Sequence, residues 1–158
     1  MRKLFIIGAC IFSIVACTNA GGEEKKETSA TATTEAAASE NPSYDTARGA
    51  GKFTNVEVGA TLDQAKATAG KGIFDVKCSS CHKLSGEKLV GPGWAGVTSR
   101  HKTEWIMNFV TNTDEMLNKD PKAQAMLELC LVRMPNQSLT DEDARNIYEF
   151  MRKNDGVK

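Results

Sequence analysis

The 158-residue sequence predicts an all-α domain. Two capping boxes, at residues 61–64 and 140–143, each precede a stretch in which apolar side chains recur with helical spacing. Regular alternation of apolar and polar residues, which half-buried strands would show, is missing between them. The weak alternation over Phe53–Val58 is only six residues long and favours an extended strap across the domain rather than a sheet.

The first helix is predicted to begin at the Thr61–Gln64 capping box and to run towards Lys77. Gly70 and Gly72 interrupt it, and each costs about 1 kcal/mol relative to Ala. A small residue at Gly70 would let another helix cross closely at this point. The alternative is that Gly70 breaks the first helix in two.

The last predicted helix is the one expected to cross the first helix at Gly70. It opens at the Thr140–Asp143 capping box and ends near Asn154. Its apolar stripe consists of Ala144, Ile147, Phe150 and Met151, with Ile147 and Phe150 placed against Gly70.

Shorter helices are predicted between these two. Thr103 can cap a helix from Glu104 to about Val110. Asp120 followed by Pro121 is typical of a helix start, here leading into residues 122–131.

The first 16 residues predict an export signal. Arg2 and Lys3 precede the apolar run 4–16, which is too short for a comfortable transmembrane helix. The run ends in Ile-Val-Ala before Cys17, which resembles the lipobox of bacterial lipoproteins. The resemblance implies a lipoprotein signal peptide over 1–16 and lipidation at Cys17. An ordinary cleaved signal and an uncleaved anchor are the alternatives.

Residues 17–52 are predicted to be the lipidated Cys and a disordered tether. Ala, Thr, Ser, Glu and Gly dominate this segment, and so few large apolar side chains cannot offset the entropy of ordering the chain. A domain held in this way would stay near an extracytoplasmic membrane surface, facing the periplasm, and could still step between partners.

The central motif is Cys78-Ser79-Ser80-Cys81-His82. C-x-x-C-H is the pattern by which two thiols attach covalently to one haem c group, while the following His ligates its iron. A redox-active dithiol is disfavoured because it would need a βαβ surround. A structural zinc site is disfavoured because only His101 and Cys130 could complete it.

Residues 60–154 resemble a class I c-type cytochrome in the order of their motifs as well as in the motifs themselves. The resemblance implies the cytochrome c fold, with crossed N- and C-terminal helices around a covalent haem, in a mono-haem domain over 53–158. It implies Met134 as the second axial ligand, and the backbone carbonyl of Pro92 as the acceptor for the other ring N–H of His82. The matching features are Gly70-x-x-x-Phe74, C-x-x-C-H, Gly91-Pro92-x-x-x-Gly96, Met134-Pro135 and the closing helix with Ile147, Phe150 and Met151.

The position of Met134 supports this role. Met134 follows the end of a predicted helix, where a loop can aim a side chain. His101 and an open sixth position are the alternatives. The other methionines considered, which fall on predicted helices and are expected to fill the core, are Met107, Met116, Met126 and Met151.

One cysteine is left without a predicted covalent role. Cys10 leaves with the signal, Cys17 takes lipid, and the motif thiols take haem. Cys130 lies in an apolar-rich run and is predicted to be a buried thiol that acts as a small hydrophobe.

With His82 and Met134 both on iron, no position remains for a substrate, so we expect an electron-transfer protein and not an enzyme. The expected donor is a quinol-oxidising complex and the expected acceptor a terminal reductase or oxidase, with nitrous oxide reductase among the candidates. A haem enzyme or gas sensor with an open sixth position is one alternative. A fixed haem subunit of a larger respiratory complex is another. The formal net charge of zero gives no indication of nucleic-acid binding.

The charge of the predicted domain is polarised along its sequence. Six basic and two acidic residues lie between Lys71 and Lys102, whereas seven basic and ten acidic residues follow from Thr103 onwards. The basic segment surrounds the haem-attachment motif and predicts an acidic partner there, although such blocks also occur on ordinary solvated faces.

Overall fold

The computed structural model describes residues 44–158, and the predicted signal peptide and Cys17 lie outside the described residues. This part of the chain is helical, without strands, and contains one isolated bridge between His82 and Lys88. None of its helices combines the length and apolar character needed to span a membrane. The elements are α1 (Gln64–Ile73), a π-helical turn (Phe74–Cys78), α2 (Val97–Arg100), α3 (Thr103–Thr111), α4 (Thr113–Lys119), α5 (Pro121–Cys130) and α6 (Asp141–Asn154).

Helix α1 begins later than the capping box predicts. Its N-cap is Asp63, whose side chain accepts a hydrogen bond from the Lys66 backbone N–H at 3.0 Å. The chain just before it is joined to the C-terminus, through a 3.0 Å hydrogen bond from the Leu62 N–H to the Lys158 carbonyl. The helix then runs unbroken through Gly70, so the alternative of a break at Gly70 is wrong.

Gly70 marks the crossing of α1 and α6. A Cβ atom built on Gly70 would lie 2.0 Å from the Asn146 carbonyl oxygen and 2.9 Å from Phe150 Cβ. Ile147 is fully buried at the same crossing, and the Phe74 and Phe150 rings lie 5.5 Å apart one turn further along. The predicted close crossing is therefore confirmed, and it explains a glycine inside a helix.

Helix α6 begins as predicted. The Thr140 hydroxyl accepts from the Asp143 N–H at 3.1 Å, and the Asp143 carboxylate accepts from the Thr140 N–H at 3.0 Å. Its apolar stripe is buried throughout, as expected of an amphipathic helix on the core.

The start of α5 is also confirmed. The Asp120 side chain accepts a hydrogen bond from the Ala123 N–H at 2.9 Å, and Pro121 is the first helical residue. In α3, by contrast, Thr103 is already the first helical residue, after a cap at Lys102 without a side-chain hydrogen bond.

Residues 44–58 form a strap across α3, with a turn at 45–49, and Asn108 holds its centre. The Asn108 side chain is fully buried. Its amide nitrogen donates to the carbonyls of Arg48 and Phe53 at 2.9 and 3.0 Å, and its oxygen accepts from the Phe53 N–H at 2.9 Å. The predicted strap over Phe53–Val58 is thus present, held by side chains rather than by a sheet.

The strap begins earlier than the sequence predicts. Residues 44–52 fall inside the predicted disordered tether, yet Ala50 is buried and its N–H points at the Met116 sulfur at 3.0 Å. The small residues that suggest disorder are here the ones that fit: a Cβ on Gly49 would lie 2.5 Å from Met116 Cε. The packed domain therefore extends beyond the predicted boundary at residue 53.

A buried ion cluster joins the end of the strap to α6. Glu149 is fully buried and accepts from Arg152 at 2.9 Å and from Arg145 at 3.1 Å. Arg152 also donates to the Gly59 carbonyl at 2.8 Å. Each charged group is paired, as burial requires.

Candidate haem site

The C-x-x-C-H motif folds as a compact turn at the end of the π-helical turn. The N–H groups of Cys81 and His82 both donate to the Cys78 carbonyl, at 3.0 and 2.9 Å. Cys78 is buried and Cys81 half-buried. Burial raises the pKa of the Cys78 thiol to about 11, and Lys77 opposes this shift only in part. The surroundings of Cys78 thus disfavour a thiolate and suit a neutral thioether.

His82 is oriented by the loop that follows it. Its Nδ1 atom lies 2.8 Å from the Pro92 carbonyl oxygen, so Nδ1 carries the proton and Nε2 is left with a lone pair for a metal. Burial lowers the pKa of His82 despite the opposing effect of this hydrogen bond, which favours the neutral, ligating form. The contact between His82 and Pro92 expected from the sequence is present.

Gly91 allows the loop to approach the imidazole. A Cβ at this position would lie 2.4 Å from His82 Cε1. The N–H groups of Val90 and Gly91 both point at the Cys81 carbonyl, at 3.2 and 2.9 Å, which fixes the loop to the motif.

A cavity of about 630 Å³ extends from His82, within the size range of cofactor pockets. Met134, from the loop between α5 and α6, lines the same cavity, so the structure brings the two predicted axial ligands together at one site. A smaller adjoining cavity of about 90 Å³ reaches Cys81. The residues that line both cavities are His82, Pro92, Phe109, Met126, Cys130 and Met134.

One region of the larger cavity is polar. The Nδ1 atom of His101 and the Nε1 atom of Trp105 are buried without a hydrogen-bond partner in residues 44–158. Lys88, Arg100 and Lys122 join His101 in the cavity lining. Haem carries two carboxylate groups, so unsatisfied donors and cations beside an apolar cavity are what this cofactor requires. The residues present therefore fit haem.

The His101 ring is held by aromatic stacking. Its ring stacks on Trp105, with centroids 4.0 Å apart and planes 14° apart, and Trp105 stacks on Phe109 at 5.1 Å. Burial, together with the nearby Lys122 and Arg100, lowers the pKa of His101 to about 4. His101 lines the larger cavity but not the smaller one that Met134 and Cys81 share.

Cys130 differs from its prediction. Its side chain is half-buried rather than buried, and it lies on the wall of both cavities. Its apolar neighbours Met126 and Leu127 still agree with the role of a small hydrophobe. Among the other methionines, Met107, Met116 and Met151 fill the core as predicted, whereas Met126 faces the cavity.

Fold and site together define an all-α protein built around a covalently attached haem. The profile of the cytochrome c family, described as "Cytochrome c", matches residues 67–155, and the chain belongs to this family. Covalently bound haem c is accordingly its cofactor, and its general activity is haem-based electron transfer.

Two further comparisons agree. Cytochrome c from Rhodothermus marinus has a similar structure, with a TM-score of 0.64 and 30% identity over 66% of this chain and 90% of that chain. An engineered form of that protein, bound to a carbene intermediate, matches with a TM-score of 0.61. Cytochrome c from Tetrahymena pyriformis is 40% identical over 40 residues, which span 25% of this chain and 37% of that relative.

Proposed function

We propose that this cytochrome c is a membrane-tethered carrier of single electrons, with haem attached at Cys78 and Cys81 and with His82 and Met134 as the axial ligands. The observation that carries the proposal is that His82 and Met134 line one cavity, while Pro92 occupies the other ring nitrogen of His82. Two protein ligands leave no iron position for a substrate, so the remaining chemistry is one-electron transfer.

The lipid anchor at Cys17 belongs to the same proposal. Packed structure begins by Tyr44, so residues 18–43 would connect the domain to an acylated Cys17. Even fully extended at about 3.4 Å per residue, they would keep the domain within about 90 Å of the membrane. This distance would limit the carrier to partners in or on the same membrane and raise their effective concentration.

The proposed partners are a quinol-oxidising complex as donor and a terminal reductase or oxidase as acceptor, with nitrous oxide reductase among the candidates. A Met/His ligand pair raises the reduction potential, which suits transfer between such partners. Two of the basic residues near the motif are neutralised, Lys71 by Asp75 at 2.6 Å and Lys83 by Glu87 at 2.8 Å. The basic residues of that segment without a carboxylate partner among the described residues are Lys77, Lys88, Arg100 and Lys102.

Absorption spectroscopy of the holoprotein tests the ligation. The ferric protein should show the weak long-wavelength sulfur-to-iron band, and Met134→Ala should abolish it while leaving the covalent haem in place. His101→Ala, the matched control, should retain the band. Rapid CO binding by the ferrous wild-type protein would instead support an open sixth position and defeat the carrier proposal.

Isolation from native membranes tests the anchoring. A carrier should be extracted by detergent as a single lipidated polypeptide, and Cys17→Ser should release it into the soluble fraction. Stoichiometric co-purification with a larger complex would favour a fixed haem subunit.

A further inference from the structure

Helix α5 is the cavity wall that leads to Met134. Met126, Leu127 and Cys130 of this helix line the cavity, and Met134 follows four residues after the helix ends. A shift of α5 therefore moves the loop that presents the Met134 sulfur.

One face of α5 borders the cavity, and its contacts with the rest of the described chain lie mainly at its N-terminal end. Ala123, in the first turn, is its buried residue. Its most extensive helix contact is with α4 rather than with the α1–α6 crossing. The position of α5 thus depends on the contacts at its start.

The strongest of these contacts is at its N-terminus. Asp120 is fully buried, and both of its carboxylate oxygens are used. Oδ1 accepts from the Ala123 N–H at 2.9 Å, and Oδ2 accepts from the Tyr44 hydroxyl at 2.7 Å. A hydrogen bond to a charged carboxylate is about twice as strong as one between neutral groups.

Tyr44 is in turn supported by the strap. Directly after Tyr44 the chain forms a turn, in which the Gly49 N–H donates to the Asp45 carbonyl at 2.9 Å. The contacts of Ala50 and Asn108 then fix this part of the strap to the core. Burial, followed by the hydrogen bond to Asp120, raises the pKa of Tyr44, so its hydroxyl stays protonated and remains a donor.

We infer that Tyr44 is a positioning residue for the axial ligand Met134: through Asp120 it locks the start of α5, and α5 holds the Met134 loop against the iron. The inference rests on the proposed His82/Met134 ligation. The hydrogen bond that positions Met134 would thus lie at the N-terminal end of the strap, the end that is nearest in sequence to Cys17.

Imidazole binding to the ferric holoprotein tests the inference, since imidazole must displace Met134 from the iron. Tyr44→Phe removes only the hydroxyl. It should raise the imidazole affinity about tenfold, because the loss of a hydrogen bond to a charged group should increase by about that factor the population in which Met134 is off the iron. Asp120→Asn keeps an N-cap and an acceptor, and should raise the affinity less. The two substitutions together should be clearly non-additive.

Tyr148→Phe is the matched control. It removes a hydroxyl that accepts from Thr103 at 2.8 Å between α3 and α6, away from α5. It should lower the melting temperature and leave imidazole affinity unchanged. Equal affinity changes in Tyr44→Phe and Tyr148→Phe, or none in Tyr44→Phe, would overturn the inference even if the wild type shows the sulfur-to-iron band. A wild type without that band would refute the ligation itself.

Discussion

The two sides of this cytochrome c are held by different means. On one side α1 and α6 cross at Gly70, with a buried aromatic cluster and the buried Glu149 ion cluster around them. On the other, α5 and the Met134 loop border the cavity, and the most extensive helix contact of α5 is with α4 rather than with the α1–α6 crossing. The difference teaches that His82, one proposed axial ligand, is attached to a rigid scaffold, whereas Met134, the other proposed ligand, follows a helix that is held mainly at its N-terminal end.

The largest expected difference in the free energy of unfolding is between two ion pairs of the same spacing, one buried and one exposed. Glu149 pairs with Arg145 and Glu115 pairs with Lys119, both four residues apart. The Glu149 side chain is 1% exposed, whereas the Glu115 side chain is 42% exposed. Glu149→Ala should lower the free energy of unfolding by about 4 kcal/mol, because Arg152 is left buried without its partner. Glu115→Ala should have little effect, since an exposed pair contributes little. Denaturant unfolding of the holoproteins measures both, and similar losses would contradict the contrast.

The helix crossing comes next. Gly70→Ala places a methyl group against the Asn146 backbone and should cost about 2 kcal/mol by overpacking. Gly72→Ala, in the same helix, is the matched control because no atom lies within 4 Å of its Cβ. It should stabilise the protein by up to about 1 kcal/mol through helix propensity. Thermal unfolding should thus show shifts of opposite sign, and a stabilised Gly70→Ala would refute the close crossing.

The α6 cap is expected to contribute less, and its contribution depends on pH. Thr140→Ala should cost about 1 kcal/mol at pH 7. Hydrogen bonds from the Thr140 backbone and side chain lower the pKa of Asp143. Their contribution to stability is therefore complete above the unfolded pKa of about 3.9 and is lost as the pH falls through the lower folded value. Asp143→Asn removes the titrating carboxylate, so urea unfolding at pH 7 and below pH 4 should show the advantage of the wild type over Asp143→Asn shrinking in acid; a constant advantage would contradict the assignment.

The smallest expected effects concern docking at the basic segment. Lys88 extends from the attachment side to the Leu129 carbonyl of α5 at 2.9 Å and has no carboxylate partner in the described chain. Lys88→Glu should slow association with an acidic partner by about fourfold at low salt, from the Coulomb energy of two charges at about 10 Å. Lys83→Glu should slow it by a similar factor, since the change of two charge units is the same although Glu87 pairs with Lys83.

Lys153→Glu and Lys158→Glu, on and beyond the end of α6, should have little influence on this association. Stopped-flow reduction at several ionic strengths measures the rates, which should converge as screening shortens to about 10 Å at 0.1 M. A salt-independent rate would eliminate electrostatic steering.

The sequence predicts local features of the fold better than long-range ones. The Thr140 cap, the Asp120 cap and the glycine at position 70 are local signals, and each appears in the structure where expected. Asn108 and Glu149 escaped prediction because they bond to Arg48 and Asp63, which lie 60 and 86 residues away in the sequence, respectively. Residues 44–52 were misjudged because small side chains suit both a disordered linker and a tightly packed strap.

The candidate haem site also combines features that local motifs predict with features that depend on packing. The order of the motifs predicts the contact between His82 and Pro92 and the presence of Met134 at the cavity, since each lies in a recognisable pattern. The cavity position of Cys130 and the cationic lining from Lys88, Arg100 and Lys122 depend on how α5 packs, and no local pattern records that.

The burial of Cys78 also bears on the order of events during maturation. Its thiol is 7% exposed, and its pKa of about 11 leaves almost no thiolate at neutral pH, although the thiolate is the reactive form of cysteine. A fully folded chain would thus hide one of the two proposed attachment sulfurs from any enzyme that joins it to haem. We therefore expect ligation of the cofactor to act on a still open chain, with α1 closing onto α6 only afterwards.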